Sequence, residues 1–207
     1  MNPSLYSPSD VGKIYSPRPE FIFEGTKNRT KTTAYEDKRK VALLTVDGQI
    51  DFVYPDGGLP VPGAIEDIRR LASAIMYHSA ARGSQPTLIS KGTNPRTEHY
   101  GIFKAEVEDP KDVSTQLNTT ILDAIAKHDL IYVAGEAKSH CVLETMNQLV
   151  SYFGKTQPET IKKIRFLMDC TSSVQNPNVD FEALANIELE KMVQKGVVLV
   201  KSTDPIS

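Results

Sequence analysis

Ile131-Tyr132-Val133-Ala134-Gly135-Glu136-Ala137-Lys138-Ser139-His140-Cys141-Val142-Leu143-Glu144-Thr145 reads as a strand, a turn and the opening of a helix. The apolar run up to Ala134 suits a buried strand, and Gly135 breaks it. From Leu143 onward Leu143, Met146, Val150 and Phe153 fall on one helical face. Cys141 sits at the join, where the positive end of a helix dipole and free N–H groups lower a thiol pKa and can hold an oxyanion. A buried thiol serving as a small hydrophobe fits the same pattern equally well, so the rest of the chain must decide.

Upstream, Val41-Ala42-Leu43-Leu44-Thr45-Val46 is a near-continuous apolar run, the pattern of a strand buried on both faces, and it ends at Asp47. The loop Asp56-Gly57-Gly58-Leu59-Pro60-Val61-Pro62-Gly63 cannot continue a helix or a central strand. The spacing of Ala64, Ile68, Leu71, Ile75 and Met76 predicts a helix over 64–82, with Gly83 as its C-terminal cap. A second strand is expected over 86–90, ending at Lys91. A helix over 114–128 is expected next, capped by Ser114 or Thr115. Strands over 130–134, 164–168 and 197–200 and a helix over 181–195 complete the pattern. This alternation predicts a three-layer α/β/α fold around a mainly parallel sheet of about five strands. Residues 41–207 form the predicted domain. Residues 1–40, with Pro3, Pro8, Pro17 and Pro19 and a polar run from Lys27 to Lys40, read as an extended or partly disordered arm. That arm either packs Phe21-Ile22-Phe23 onto the body or a partner subunit, or is idle.

Composition narrows the partners. The chain has 207 residues, with 24 Lys and Arg against 26 Asp and Glu, so no basic surplus points to nucleic acid or anionic lipid. No apolar run approaches a membrane span and no signal pattern opens the chain. Two cysteines, Cys141 and Cys170, are too few for a disulfide framework. The expectation is a cytoplasmic protein acting on a small molecule, with neither nucleic acid nor membrane as partner.

Asp47, Lys91 and Cys141 all follow predicted strands, and a parallel sheet gathers such ends at one rim, where ligands bind. A thiol nucleophile needs a proton acceptor, and a carboxylate serves. A lysine near both balances the carboxylate and favours the thiolate. Asp47 alone could equally cap its own loop.

With these residues in place, the sequence resembles the isochorismatase-like cysteine hydrolases, in a nicotinamidase-related branch. The resemblance rests on Leu44-Thr45-Val46-Asp47-Gly48-Gln49-Ile50-Asp51-Phe52, on Leu59-Pro60-Val61-Pro62-Gly63-Ala64, on Lys91-Gly92-Thr93-Asn94-Pro95-Arg96-Thr97-Glu98-His99-Tyr100, and on Val133-Ala134-Gly135-Glu136-Ala137-Lys138-Ser139-His140-Cys141-Val142. It spans roughly residues 41–203 and implies the isochorismatase-like hydrolase fold. It also implies cleavage of a C–N bond in a small amide through a Cys141 thioester, with Asp47 as general base and Lys91 beside it. The family's cis peptide matches Glu136–Ala137, which makes the Ala137 and Cys141 N–H groups the oxyanion donors. Phe52 and His140 match pocket-lining positions, while Gln49 and Asp51 are expected to hold the loop. For His140, packing against the turn is the competing role. Glu98 and His99 are expected to be solvated loop residues. Cys170 is expected in the core, and His78 and His128 lack a metal-ligand partner at helical spacing. Family members often self-associate, and the arm at 21–23 offers a surface for a homo-oligomer.

The sequence also departs from the family. Nicotinamidases carry an Asp-x-His metal motif, and no Asp-x-His occurs in this chain. No metal or other cofactor is therefore expected. One helix bridges the first strand and the lysine strand, with a junction near Arg70 and Leu71. A strand-plus-crossover unit of roughly 30 residues or more, carrying the metal site, is read as missing. Its loss would open a sheet edge and remove a pocket wall. The competing functional reading is thus an impaired or non-catalytic protein that keeps the fold for association.

Overall fold

The computed structural model of the chain describes residues 19–27, 38–84 and 87–206. Four strands form one parallel sheet in the order β1 (Val41–Val46), β2 (Leu130–Gly135), β3 (Ile164–Leu167), β4 (Val198–Val200). β1 runs alongside β2 from the Val41–Leu130 pair to the Val46–Gly135 pair. That register fixes Asp47 beside the turn that follows β2.

Helices cover both faces. On one lie α1 (Pro19–Lys27), α2 (Ile50–Val53) and α3 (Ala64–Arg82), with α1 along α3. Val53, Ala64, Ile68 and Leu71 pack there against Ala134, Leu167 and Val200. The other face carries α4 (Thr119–Ala126), α5 (Leu143–Thr156) and α6 (Phe181–Gln194). Leu122, Ile125, Met146, Leu149, Phe153 and Leu189 close there over Ile131, Val133 and Phe166. Each fully buried side chain of that size contributes about 2 kcal/mol. Much of the stability is thus placed around β2, the strand that leads to Cys141. No helix among the described residues is long and apolar enough to cross a membrane.

The α/β class and parallel order match the expectation, and four details correct it. Thr87–Ser90 form no strand: all four are exposed, and Leu88 is 96% exposed. Pro86, also part of that expected strand, lies outside the described residues. A strand exists only when its backbone groups find a ladder, and none is offered here. As a result β1 is an edge strand, with Val46 alone fully buried and Leu43 and Thr45 exposed, rather than covered on both faces. The helix expected from residue 114 starts at Thr119, where the Asn118 side chain accepts from Ile121 N–H at 3.2 Å. Thr115 does not cap it, because its hydroxyl accepts from Asp109 N–H at 2.8 Å and donates to Asp112 C=O at 2.7 Å. Within the arm, residues 19–27 are helical, as Pro at a first helical position allows. That helix lies along α3, with Phe23 71% exposed. Residues 1–18 and 28–37 of that arm lie outside the described residues.

Candidate active site

Three chain segments supply the site. Asp47 leaves β1 with φ 41°, a left-handed backbone uncommon for any residue but glycine. Such outliers persist where surrounding structure over-determines them. Here Glu136 N–H holds Val46 C=O at 2.9 Å and Gln49 N–H holds Asp47 C=O at 2.7 Å. The Asp47 carboxylate accepts from Lys91 Nζ, and both side chains are largely buried. The weak donation from Gln49 Nε2 at 3.4 Å adds to it.

Lys91 is presented by the loop between α3 and α4. Gly92 has φ 54°, and a Cβ there would lie 2.2 Å from the His99 ring, so the loop folds tightly onto itself behind Lys91. The same loop is clamped to α5. Phe103 N–H donates to Gln148 Oε1 at 3.0 Å, and Gln148 Nε2 donates to Lys104 C=O at 3.3 Å. Ile102 N–H donates to Thr145 Oγ1 at 3.3 Å, and that hydroxyl donates to Cys141 C=O at 2.7 Å. Thr145 thereby ties the lysine loop to the Cys141 backbone.

Cys141 lies in a single wide turn ahead of α5, where Val142 N–H reaches Ala137 C=O at 3.1 Å in an i to i+5 bond. Such turns recur at functional sites. The Cys141 thiol lies within the influence of both members of the Asp47–Lys91 pair, Lys91 favouring its ionised form and Asp47 opposing it. Its pKa is raised, contrary to the lowering expected from its place before a helix. Burial is the largest cause, since Cys141 is 6% exposed, and the charge of Asp47 offsets that of Lys91. The resting sulfur is therefore a protonated thiol.

The peptide bond Glu136–Ala137 is cis. Ala137 N–H donates to no group among the described residues. Lys138 N–H to Ser172 C=O at 2.8 Å and Val174 N–H to Ser139 Oγ at 3.1 Å pin the turn to the segment after β3.

Phe52 sits on α2, half-buried beside Ala134 and Ala137. His140 receives or donates one bond with Ser139 Oγ at 2.8 Å, and its ring lies edge-on to Phe181 at 4.9 Å and Tyr100 at 6.3 Å. Burial lowers its pKa, which favours the neutral ring. Tyr100 and Phe181 were not singled out from sequence. They come from a loop and a helix start far from the cysteine stretch, and no spacing signals their meeting. Asp51 does hold its loop, accepting from Gly58 N–H at 3.2 Å. Cys170 is fully buried, and burial with the charge of Asp169 pushes its thiol up to about 12. A cleft of about 980 Å³ lies beyond Phe181, bounded by Pro62, Lys138 and Glu182, and none of Asp47, Lys91 and Cys141 lines it.

The residues present do not fit a metal ion. Among the described residues no three or more His, Cys, Asp and Glu side chains stand close enough to hold one.

No protein-family model matches the sequence, and none of the curated proteins does. Solved structures do. The chain is similar to PnC1 from L. infantum, solved in complex with nicotinate, at 19% identity and TM-score 0.54, covering 81% of this chain and 95% of that one. It is also similar to the pyrazinamidase of Pyrococcus horikoshii, solved in complex with zinc, at 20% identity and TM-score 0.55, covering 78% and 99%. At these identities the likeness establishes the fold, an α/β arrangement around a parallel sheet shared with both, and leaves activity to the site.

Proposed function

We propose that this chain is a cysteine hydrolase that cleaves the C–N bond of a small carboxamide. The observation that carries the reading is the Asp47–Lys91 pair at the carboxyl rim of a parallel sheet, with the Cys141 thiol within the influence of both. The fold shared with a nicotinate-bound protein and a pyrazinamidase agrees with it.

The residues support the following sequence of steps. Asp47 takes the thiol proton as Cys141 Sγ bonds to the amide carbonyl carbon. Lys91 remains cationic, so the cluster's charge stays balanced while the proton moves. The carbonyl oxygen becomes an oxyanion facing the Ala137 and Cys141 N–H groups, donors already fixed before substrate arrives. Asp47 then delivers the proton to nitrogen, the C–N bond breaks, and ammonia leaves. Water attacks the thioester and gives a proton back through Asp47, the C–S bond breaks, and the acid departs with the thiol restored. Each proton taken is returned, so no cofactor is required by the balance. Phe52 and His140, the latter between Tyr100 and Phe181, supply a flat, mainly apolar wall for the amide's substituent. No step is routed through a metal.

The test is ammonia release from a panel of small carboxamides by the full chain. Turnover of at least one, abolished by Cys141→Ala, is the expected result. Turnover that survives this substitution unchanged overturns the mechanism.

A second reading is favoured by one observation. Among the described residues the outer edge of β1 has no paired strand and Thr87–Ser90 lie exposed beside no ladder, as the loss of a strand-plus-crossover unit would leave them. In that reading the chain keeps the fold and has lost turnover. A Cys141 thiol that is no longer protected or altered in reactivity by Asp47→Asn or Lys91→Met, together with no ammonia release, supports it.

A further inference from the structure

Behind the oxyanion turn lies a second pair of acids that the proposed chemistry does not use. Glu136 follows Gly135 at the end of β2 and is 0% exposed. Its Oε2 accepts from Ser172 N–H at 3.3 Å, while Oε1 finds no donor. Asp67, in the first turn of α3, is 4% exposed. It accepts from Arg70 Nη1 at 3.2 Å and from Ser172 Oγ at 2.5 Å. Ser172 thus bridges them, its N–H on Glu136 and its Oγ on Asp67, which brings the two carboxyl groups within each other's influence. Two carboxylates sharing a site disfavour each other's charge, and an ionised Glu136 would leave a buried charge with an orphaned oxygen.

The proton's place follows from the neighbours. Burial raises the Asp67 pKa overall, and the Ser172 hydroxyl and, from α3, Arg70 partly offset that by favouring its ionised form. From the segment after β3, the Asp169 carboxylate opposes a charge on Asp67, and the Cys170 thiol lies nearby. Glu136 has no cation of its own. We propose that Glu136 is a neutral carboxylic acid that donates its proton to Asp67, and that this bond from the end of β2 to the first turn of α3 is the positioning element that holds Ala137 N–H beside Cys141. Its catalytic half rests on the amidase reading, and the acid pair itself does not. Burial first, and the Asp67 charge second, push the Glu136 pKa up from 4.5 to about 9.

The sign is fixed by linkage. The folded-state pKa lies above the unfolded one, so this group's stabilisation is complete below about 4.5 and is lost progressively as pH rises to about 9. Glu136→Gln keeps an N–H donor toward Asp67 and has nothing to titrate. The experiment is thermal unfolding of the full chain across that range. The wild-type Tm is expected to fall with rising pH more steeply than that of Glu136→Gln, so that the gap opens in the variant's favour toward the alkaline end. Parallel profiles overturn the acid pair. Isotope-edited infrared gives a second reading: a protonated carboxyl band at neutral pH that disappears in Glu136→Gln supports it, and a wild-type spectrum without that band overturns it.

For the positioning role, Glu136→Leu removes the donor. It is expected to lower kcat by about tenfold or more with little change in KM, as misplaced oxyanion donors do. Glu136→Gln is expected to recover most of that loss and to move the alkaline limb of the rate profile. A change confined to KM, or no recovery by Gln, overturns the positioning role. Should the wild type release ammonia from no amide, the amidase reading fails, while the Tm profiles and the infrared band still decide the acid pair.

Discussion

Asp47 and Lys91 are 44 residues apart in sequence and share one hydrogen bond at the rim of the sheet. The lysine reaches the aspartate from a loop that contributes no strand to the sheet. Their pairing therefore depends on how that loop is folded and clamped, and the consequences are open to measurement.

Breaking the pair should cost stability. Lys91→Met leaves the Asp47 carboxylate, its side chain 8% exposed, without its cation. Removing one partner of a buried pair typically costs about 3–5 kcal/mol, discounted toward the lower end here because Lys91 keeps some contact with solvent. Urea unfolding with an unchanged m-value checks the figure.

The Cys141 thiol should respond to its two neighbours in opposite directions. Lys91 lowers its pKa and Asp47 raises it. The pH dependence of alkylation by iodoacetamide is expected to shift upward in Lys91→Met and downward in Asp47→Asn. Wild-type alkylation at neutral pH should be slower than that of a free thiol, because burial dominates the raised pKa. Shifts of the same sign in both variants would show that the sulfur does not sit between the two charges.

Gly92→Ala tests the fold of the lysine loop. The added methyl meets the His99 ring at 2.2 Å, and φ 54° disfavours any Cβ. A loss of about 1–3 kcal/mol is expected from the backbone alone, with more from the clash. In the double variant Gly92→Ala, His99→Ala the clash part should be recovered and the backbone part retained, as a double-mutant cycle would report.

Gln148 is 5% exposed and satisfies both Phe103 N–H and Lys104 C=O. Gln148→Leu leaves a buried N–H without a partner, a cost of about 1–3 kcal/mol. Hydrogen exchange at Phe103 should accelerate, with Ile102 following if the loop lifts as a unit. Protection unchanged at both positions would place the clamp elsewhere.

The open edge of β1 is a template for association. Leu43 is 36% and Leu88 96% exposed. Leu88→Lys is expected to leave stability within about 0.5 kcal/mol, as surface changes usually do, and to lower the light scattering of concentrated samples. Equal scattering from wild type and variant would acquit this segment.

Much of the architecture was legible in the amino-acid order. The alternation of apolar strands with 3.6-periodic helices specified a parallel α/β sheet, and Asp47 and Cys141, which follow strands, marked its rim, because strand ends in such a sheet share one edge. Lys91 reaches the same rim from a loop, so the strand argument did not hold for it. Local pattern served wherever the partner was local, as with Gly83 closing α3 at φ 66°. It failed where the outcome depended on a distant neighbour. Thr87–Ser90 have strand-like composition and no ladder to join. β1 has a core strand's sequence and an edge strand's exposure. The thiol pKa moved opposite to the helix-dipole expectation because burial outweighed it. Glu136 entered the sequence reading only as one half of the Glu136–Ala137 peptide. Only the tertiary structure supplied its partner, Asp67, since a side chain's charge state is set by what closes around it and not by its place in the chain.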